Sequence, residues 1–206
     1  MKKIYFIFLA LFCLYISDLH AQARNLGIGV APVGSIQLDY KKNEEKKGHR
    51  LNYTSYLNGH LYYEPQLFGA SWLIEGSYAQ AQIDNFEINE ESALALTPSS
   101  INDRISLYSF YLYSGLTIFP QKRLQIPIYG GVGGDYIEGE PIDNFLFSLG
   151  AKARIKFYIT DQIGLYLGAD AKIGIGFEKS KPNLSSSDTQ LNSKMWYLNT
   201  GLTFSF

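Results

Sequence analysis

The 206-residue chain holds one cysteine, two methionines and three histidines, and only 18% of its residues are charged. One cysteine cannot build a disulfide framework, and because it falls at position 13, inside an N-terminal apolar run, it serves no thiol enzyme either. The scarcity of histidine and cysteine leaves no set with metal-ligand spacing and implies no cofactor; neither a phosphate-binding glycine loop nor a repeat is visible. A net charge of -1 argues against nucleic acid as a partner, since that requires a basic excess. Beyond the first twenty or so residues, no stretch is long and apolar enough to cross a membrane as a helix. What is plentiful is glycine (19), tyrosine (16) and phenylalanine (13).

The N-terminal segment reads as an export signal. Lys2 and Lys3 precede an apolar run over residues 4–16, Asp18 ends it, and Ala21 and Ala23 supply the small residues of a cleavage site. The run is shorter than the roughly 20 residues of a transmembrane helix. Residues 1–21 are therefore expected to be removed, with cleavage after residue 23 as the variant, leaving residues 22–206 as one domain. Leu9, Ala10, Leu11 and Phe12 do not form the small-residue approach to a lipid-modified Cys13. An exported chain without cysteine must draw its stability from packing or from a membrane, and the one spanning structure still open is a closed β-barrel.

From residue 24 onward the dominant period is two. In the last segment Trp196, Leu198, Leu202, Phe204 and Phe206 share one face, interrupted by Thr200, while Tyr197, Asn199, Gly201, Thr203 and Ser205 share the other. Over residues 162–177 Leu165, Leu167, Ile173 and Ile175 oppose Tyr166, Asp170 and Lys172. Over residues 147–157 Phe147, Leu149, Ile155 and Phe157 oppose Lys152, Arg154 and Lys156. Three basic residues on one strand face cannot meet lipid, where a midplane charge costs about 2 to 4 kcal/mol, so that face is expected to point inward. Residues 26–40, 51–64, 72–83, 104–118 and 124–137 complete a set of eight strands, with Pro32 and Pro127 predicting local bulges or breaks. The connections around residues 65–71, 119–123 and 160–162 are short, while those over 41–50, 84–102, 138–144 and 178–193 are mostly longer and more polar. The pattern predicts an all-β fold, an eight-stranded antiparallel up-and-down transmembrane barrel with short periplasmic turns and longer extracellular loops. A soluble periplasmic lipocalin-like ligand-binding barrel is the competing architecture.

On these features the chain resembles the small eight-stranded outer-membrane β-barrel proteins of Gram-negative bacteria, in particular the OmpA/OmpX-like group common in Bacteroidetes. The resemblance extends over residues 22–206. It implies that Trp196, Leu198, Leu202, Phe204 and Phe206 form a carboxy-terminal signal for the barrel-assembly machinery, and that residues 20–22 are an export junction. It further implies a monomer embedded among outer-membrane lipid and lipopolysaccharide.

An eight-stranded barrel is just wide enough for its own side chains to fill it. Glu75, Asp135 and Asp170 are therefore expected to join Lys152, Arg154, Lys156 and Lys172 in a lumenal charge network that stabilises the barrel; a narrow ion or small-solute channel is the alternative. Tyr53, Tyr63, Trp72, Tyr108, Tyr113, Tyr136, Phe157, Tyr166 and Trp196 are assigned to strands and strand ends. Those at the ends suit interfacial girdles, with an aromatic carbohydrate platform as the competitor. Catalysis, as in a lipid-modifying outer-membrane enzyme, needs a nucleophile beside a histidine. Of the candidates, His49 is placed in the first loop and His60 on the polar face of the second strand with Asn58, Tyr62 and Glu64; Ser55 and Glu64 nearby form no recognisable pattern. The expectation is a non-enzymatic outer-membrane protein with a structural or envelope-integrity role. Its binding surface would be the basic loop 41–50, the acidic loop 84–102 and the Ser/Asn-rich loop 178–193, directed at an extracellular ligand or protein.

Overall fold

A computed structural model of the chain describes residues 24–42, 48–67, 70–88, 103–119, 123–139, 143–177 and 189–206. The expected export segment, with its junction at residues 20–22, lies outside the described residues.

Eight strands follow in order: β1 (Arg24–Lys42), β2 (His49–Leu67), β3 (Ala70–Glu87), β4 (Arg104–Ile118), β5 (Leu124–Glu138), β6 (Asn144–Tyr158), β7 (Ile163–Phe177) and β8 (Thr189–Ser205). Each pairs antiparallel with the next, and β8 pairs with β1, so the sheet closes without an open edge. Tracing paired residues from Leu26 through Tyr63, Ile74, Leu112, Val132, Leu149, Ile173 and Lys194 returns to β1 at Gln37, not at Leu26. That stagger is the shear of a barrel, and it tilts the strands by roughly 35 to 45° to the axis.

Several strands run further than the period predicts. His49 and Arg50 belong to β2 and not to the first loop, residues 84–87 belong to β3, and β8 begins at Thr189 within the segment assigned to the fourth loop. The reason is visible in their side chains. His49, Leu51, Leu191 and Ser193 are buried inside the barrel while their neighbours on the outer face are polar, so no oily stripe marks these strand ends. Residues 43–47, 89–102 and 178–188 of the three long connections lie outside the described residues.

The two faces of the wall are inverted relative to a water-soluble barrel. Outward residues are apolar and open, with Phe147 75%, Leu116 69% and Leu167 62% exposed, while Lys152, Arg154, Lys156, Glu64 and Asp135 are buried within. A soluble lipocalin-like barrel requires the reverse, because apolar surface of this extent in water is unfavourable. Bulges interrupt the alternation. On β1 the ladder to β8 shifts register between Val30 and Val33, around Pro32, so inward positions change from Gly27, Gly29 and Ala31 to Gly34, Ile36 and Leu38. On β2 a shift between Ser55 and Leu57 does the same. Pro127 keeps register with Thr117 on the β4 side, whereas the ladder to β6 passes from Gln125↔Lys156 to Ile128↔Ala153 with no pair between them, as a residue without an N–H dictates.

The interior has two storeys. The half nearer the extracellular loops is an apolar core in which Ile36, Leu38, Leu51, Tyr53, Ile105, Leu107, Ile137, Leu146, Leu191 and Met195 pack together. The half nearer the termini is built from Tyr62, Leu73, Tyr111, Tyr113, Tyr129 and Tyr166 around the charged residues.

Candidate functional site

The charged lumen is assembled mainly from three consecutive inward positions of β6. Alternation places Lys152, Arg154 and Lys156 on one line down the barrel wall, and closure brings carboxylates from β2, β3 and β7 opposite them. Lys152 Nζ lies 2.5 Å from Glu75 and 2.8 Å from Asp170. Arg154 donates through Nη2 to Glu75 at 2.6 Å, and its guanidinium carbon sits 4.0 Å from the centre of the Tyr62 ring and 4.8 Å from that of Tyr166. Lys156 pairs with Glu64. All these groups are buried, so each pair depends on its partner for compensation that water would otherwise give.

The structure brings all seven residues of the expected network into the lumen, but not into one mesh of ion pairs. Asp135 takes its hydrogen bonds from hydroxyls, those of Ser109 (2.5 Å), Tyr111 (2.6 Å) and Ser148 (2.5 Å). Lys172, among the described residues, makes no ion pair; its ammonium stands 4.1 Å over the Tyr111 ring and 5.6 Å from that of Tyr197. Tyr111 thus serves both, one by its hydroxyl and the other by its π-face. Asn199 donates to Asp170 at 3.0 Å and supplies a further polar partner.

Sequence reasoning missed Glu64. The expected set holds four cations but three carboxylates, and that imbalance was itself the available signal, because a net excess of buried charge is costly. With Glu64 the buried charges balance. His60 is lumenal, as its face indicates, and hydrogen-bonds the Tyr166 hydroxyl. His49 is buried at the head of β2 rather than placed in a loop.

The abundance of tyrosine and glycine has its origin here as much as in the membrane interface. Of the tyrosines assigned to strands and strand ends, Tyr53, Tyr113 and Tyr166 point inward and fill the lumen, while Tyr108 and Tyr136, with Trp196 and Phe157, face out. Several inward rings lie where a neighbour has no side chain. A Cβ at Gly150 would stand 2.8 Å from the Tyr113 hydroxyl oxygen, and one at Gly29 would meet both Tyr166 and His60. At the extracellular end Arg50 bonds Asp39 at 2.7 Å and reaches Glu87 at 4.0 Å, and the hydrogen bond to Asp39 raises the guanidinium above its ordinary range.

No protein-family model matches the chain, and no curated protein matches it. Solved structures do. The outer membrane protein OprG from Pseudomonas aeruginosa is 13% identical, with a TM-score of 0.53, over 90% of this chain and 96% of that one. Neisserial surface protein A is 10% identical, with a TM-score of 0.48, over 89% of this chain and 99% of its own. The outer membrane protease OmpT of Escherichia coli is 8% identical, with a TM-score of 0.49, over 91% and 98%. The likeness to OprG is one of fold. Together with the apolar exterior and the charged residues buried within, the fold defines this chain as an integral β-barrel of the outer-membrane type. Its place is the outer membrane, since a closed barrel clad in open leucine, isoleucine and phenylalanine side chains is compatible only with a lipid surround.

Proposed function

We propose that this barrel is a non-enzymatic, non-conducting structural protein of the outer membrane that stabilises the envelope and presents its extracellular loops for surface binding. The observation that carries this reading is the filled lumen. Polar and apolar storeys lie in series, and a solute would have to displace both: the Glu75–Lys152–Asp170 and Glu75–Arg154 pairs below, and the core around Leu38 and Leu107 above. An open solute path needs a hydrated, weakly binding route, and neither storey supplies one. For catalysis, His60 is engaged by Tyr166 and not by a serine, and it faces inward, away from the lipid on which a lipid-modifying enzyme acts.

In this reading the chain is exported with residues 1–21 removed and is received by the assembly machinery through its C-terminal aromatic strand. It is then held as a monomer among lipid and lipopolysaccharide. The test is membrane fractionation with gel mobility before and after heating, beside swelling of liposomes that contain the purified protein. The expected result is an outer-membrane protein whose mobility shifts on heating and whose liposomes do not swell. Swelling with small sugars, or steady ion conductance, would favour the channel instead.

A further inference from the structure

The lipid-facing belt is not equally tall around the barrel. On β7 outward apolar residues continue to Ile175, and on β6 they reach Phe145, close to the extracellular ends. On β1, β2 and β3 they stop at Val33, Tyr56 and Tyr78, although at 19, 19 and 18 residues these are the longest strands. Above that line the outer face carries Gln37, Asn52, Thr54, Gln80 and Gln82. At about 3.4 Å per residue and a tilt near 40°, residues 72–78 span roughly 16 Å of the axis and residues 163–175 roughly 31 Å, against about 25 Å for the apolar band of such barrels. One flank therefore emerges from the hydrocarbon at a height where the opposite flank is still immersed.

The emerging flank has a defined chemistry. Its lower border is a rail of tyrosines, with ring centres 5.1 Å apart for Tyr78 and Tyr108 and 6.3 Å apart for Tyr108 and Tyr136. Gln80 donates to the Tyr78 hydroxyl at 2.7 Å and accepts from Tyr56 at 3.1 Å, fixing the rings at that border. The charges of the flank lie higher, toward the strand ends: Arg50 is bonded to Asp39 and reaches Glu87, with Lys41 and Asp84 at the same level. Between those charges and the tyrosines the band of Gln37, Asn52, Thr54, Gln80 and Gln82 is neutral and offers amides, hydroxyls and ring faces.

We propose that the outer face of β1–β3 above this rail is a binding surface for the saccharide headgroup of an outer-leaflet glycolipid. The surface is continuous with the lipid-facing belt, so a lipid whose acyl chains lie on the belt places its headgroup here. Amide donors and acceptors match sugar hydroxyls, and tyrosine combines an apolar ring with a polar tip at such an interface. A neutral band of amides and hydroxyls suits sugar rather than phosphate.

The proposal rests on the outer-membrane location and not on closure of the lumen, and a chain missing from the outer-membrane fraction fails at the earlier test. Spin labels are placed at Thr54→Cys and, as a lipid-facing reference, at Ala151→Cys, in residues 22–206, which hold no other cysteine. Folding is checked by heat-dependent gel mobility. The labelled barrels are reconstituted in phosphatidylcholine alone, with lipid A, or with rough lipopolysaccharide that retains its core sugars. The expected result is a Thr54 label accessible to water-soluble relaxant, immobilised by rough lipopolysaccharide and not by lipid A, with the Ala151 label unchanged throughout. Immobilisation should be lost in the Asn52→Leu, Gln82→Leu double variant. A Thr54 label as oxygen-accessible as that at Ala151, equal immobilisation by lipid A, or none by rough lipopolysaccharide would each overturn the proposal.

Discussion

The behaviour of single residues in this barrel follows from the rule that a buried charge is tolerable only with a partner. Glu64 illustrates it, since its carboxylate is the ion-pair partner of Lys156. Replacing Glu64 by Ala should destabilise the folded barrel by about 3 to 5 kcal/mol, because it strands a buried ammonium. Glu64→Ala with Lys156→Met should recover most of that loss, which urea unfolding in liposomes will read as a coupling energy. Equal losses in the single and double variants would show that packing, not charge, is responsible. Arg154→Ala should likewise lower the temperature at which the heat-stable gel band converts, without creating solute flux. The charged residues of β6 were legible from alternation alone. Glu64 was not, because its partner lies on another strand, and sequence separation hides a pairing that only closure creates.

At the scale of elements, the bulges explain why some strands read cleanly and others did not. β6, β7 and the second half of β8 keep one parity throughout, so their oily and polar faces stood out in the sequence. β1 and β2 change parity at their register shifts, and beyond them the oily residues turn inward while the outer face becomes polar. The last strand also leads to an assembly prediction. Trp196, Leu198, Leu202, Phe204 and Phe206 all lie open on the outer face. If they are read by the assembly machinery, Phe204→Ala with Phe206→Ala should sharply reduce the folded protein in the outer membrane while leaving refolding of the purified chain in detergent nearly intact. Equal failure in both settings would assign these residues to packing. The two storeys of the lumen act as barriers in series, so enlarging the upper one by Leu38→Ala and Leu107→Ala should not produce conductance in planar bilayers. Conductance should require Arg154→Ala as well.

At the scale of the whole molecule, the membrane decides what each outward position tolerates. Leu167→Arg, in the middle of the belt on β7, should cost about 2 to 4 kcal/mol of folding free energy in phospholipid bilayers. Thr54→Arg, on the flank that leaves the hydrocarbon early, should cost little. Comparable penalties at the two sites would mean that the belt is level after all. The same comparison separates tolerance of charge on the outside from the pairing required inside, where a new arginine has no partner.

By itself the sequence determined the class of this protein. The period of two, the even number of strands and the want of long apolar helices leave a closed barrel as the one spanning structure, because every backbone polar group must be paired within lipid. It also determined which face of β6 looks inward, since lipid excludes three successive charges. Only the tertiary structure decided the pairing of Lys156 with Glu64, the service of Tyr111 to both Asp135 and Lys172, and the apolar upper storey. It also decided the unequal height of the belt. These depend on the stagger with which the sheet closes and on bulges that reverse a strand's faces, and neither quantity is written in any one segment of the chain.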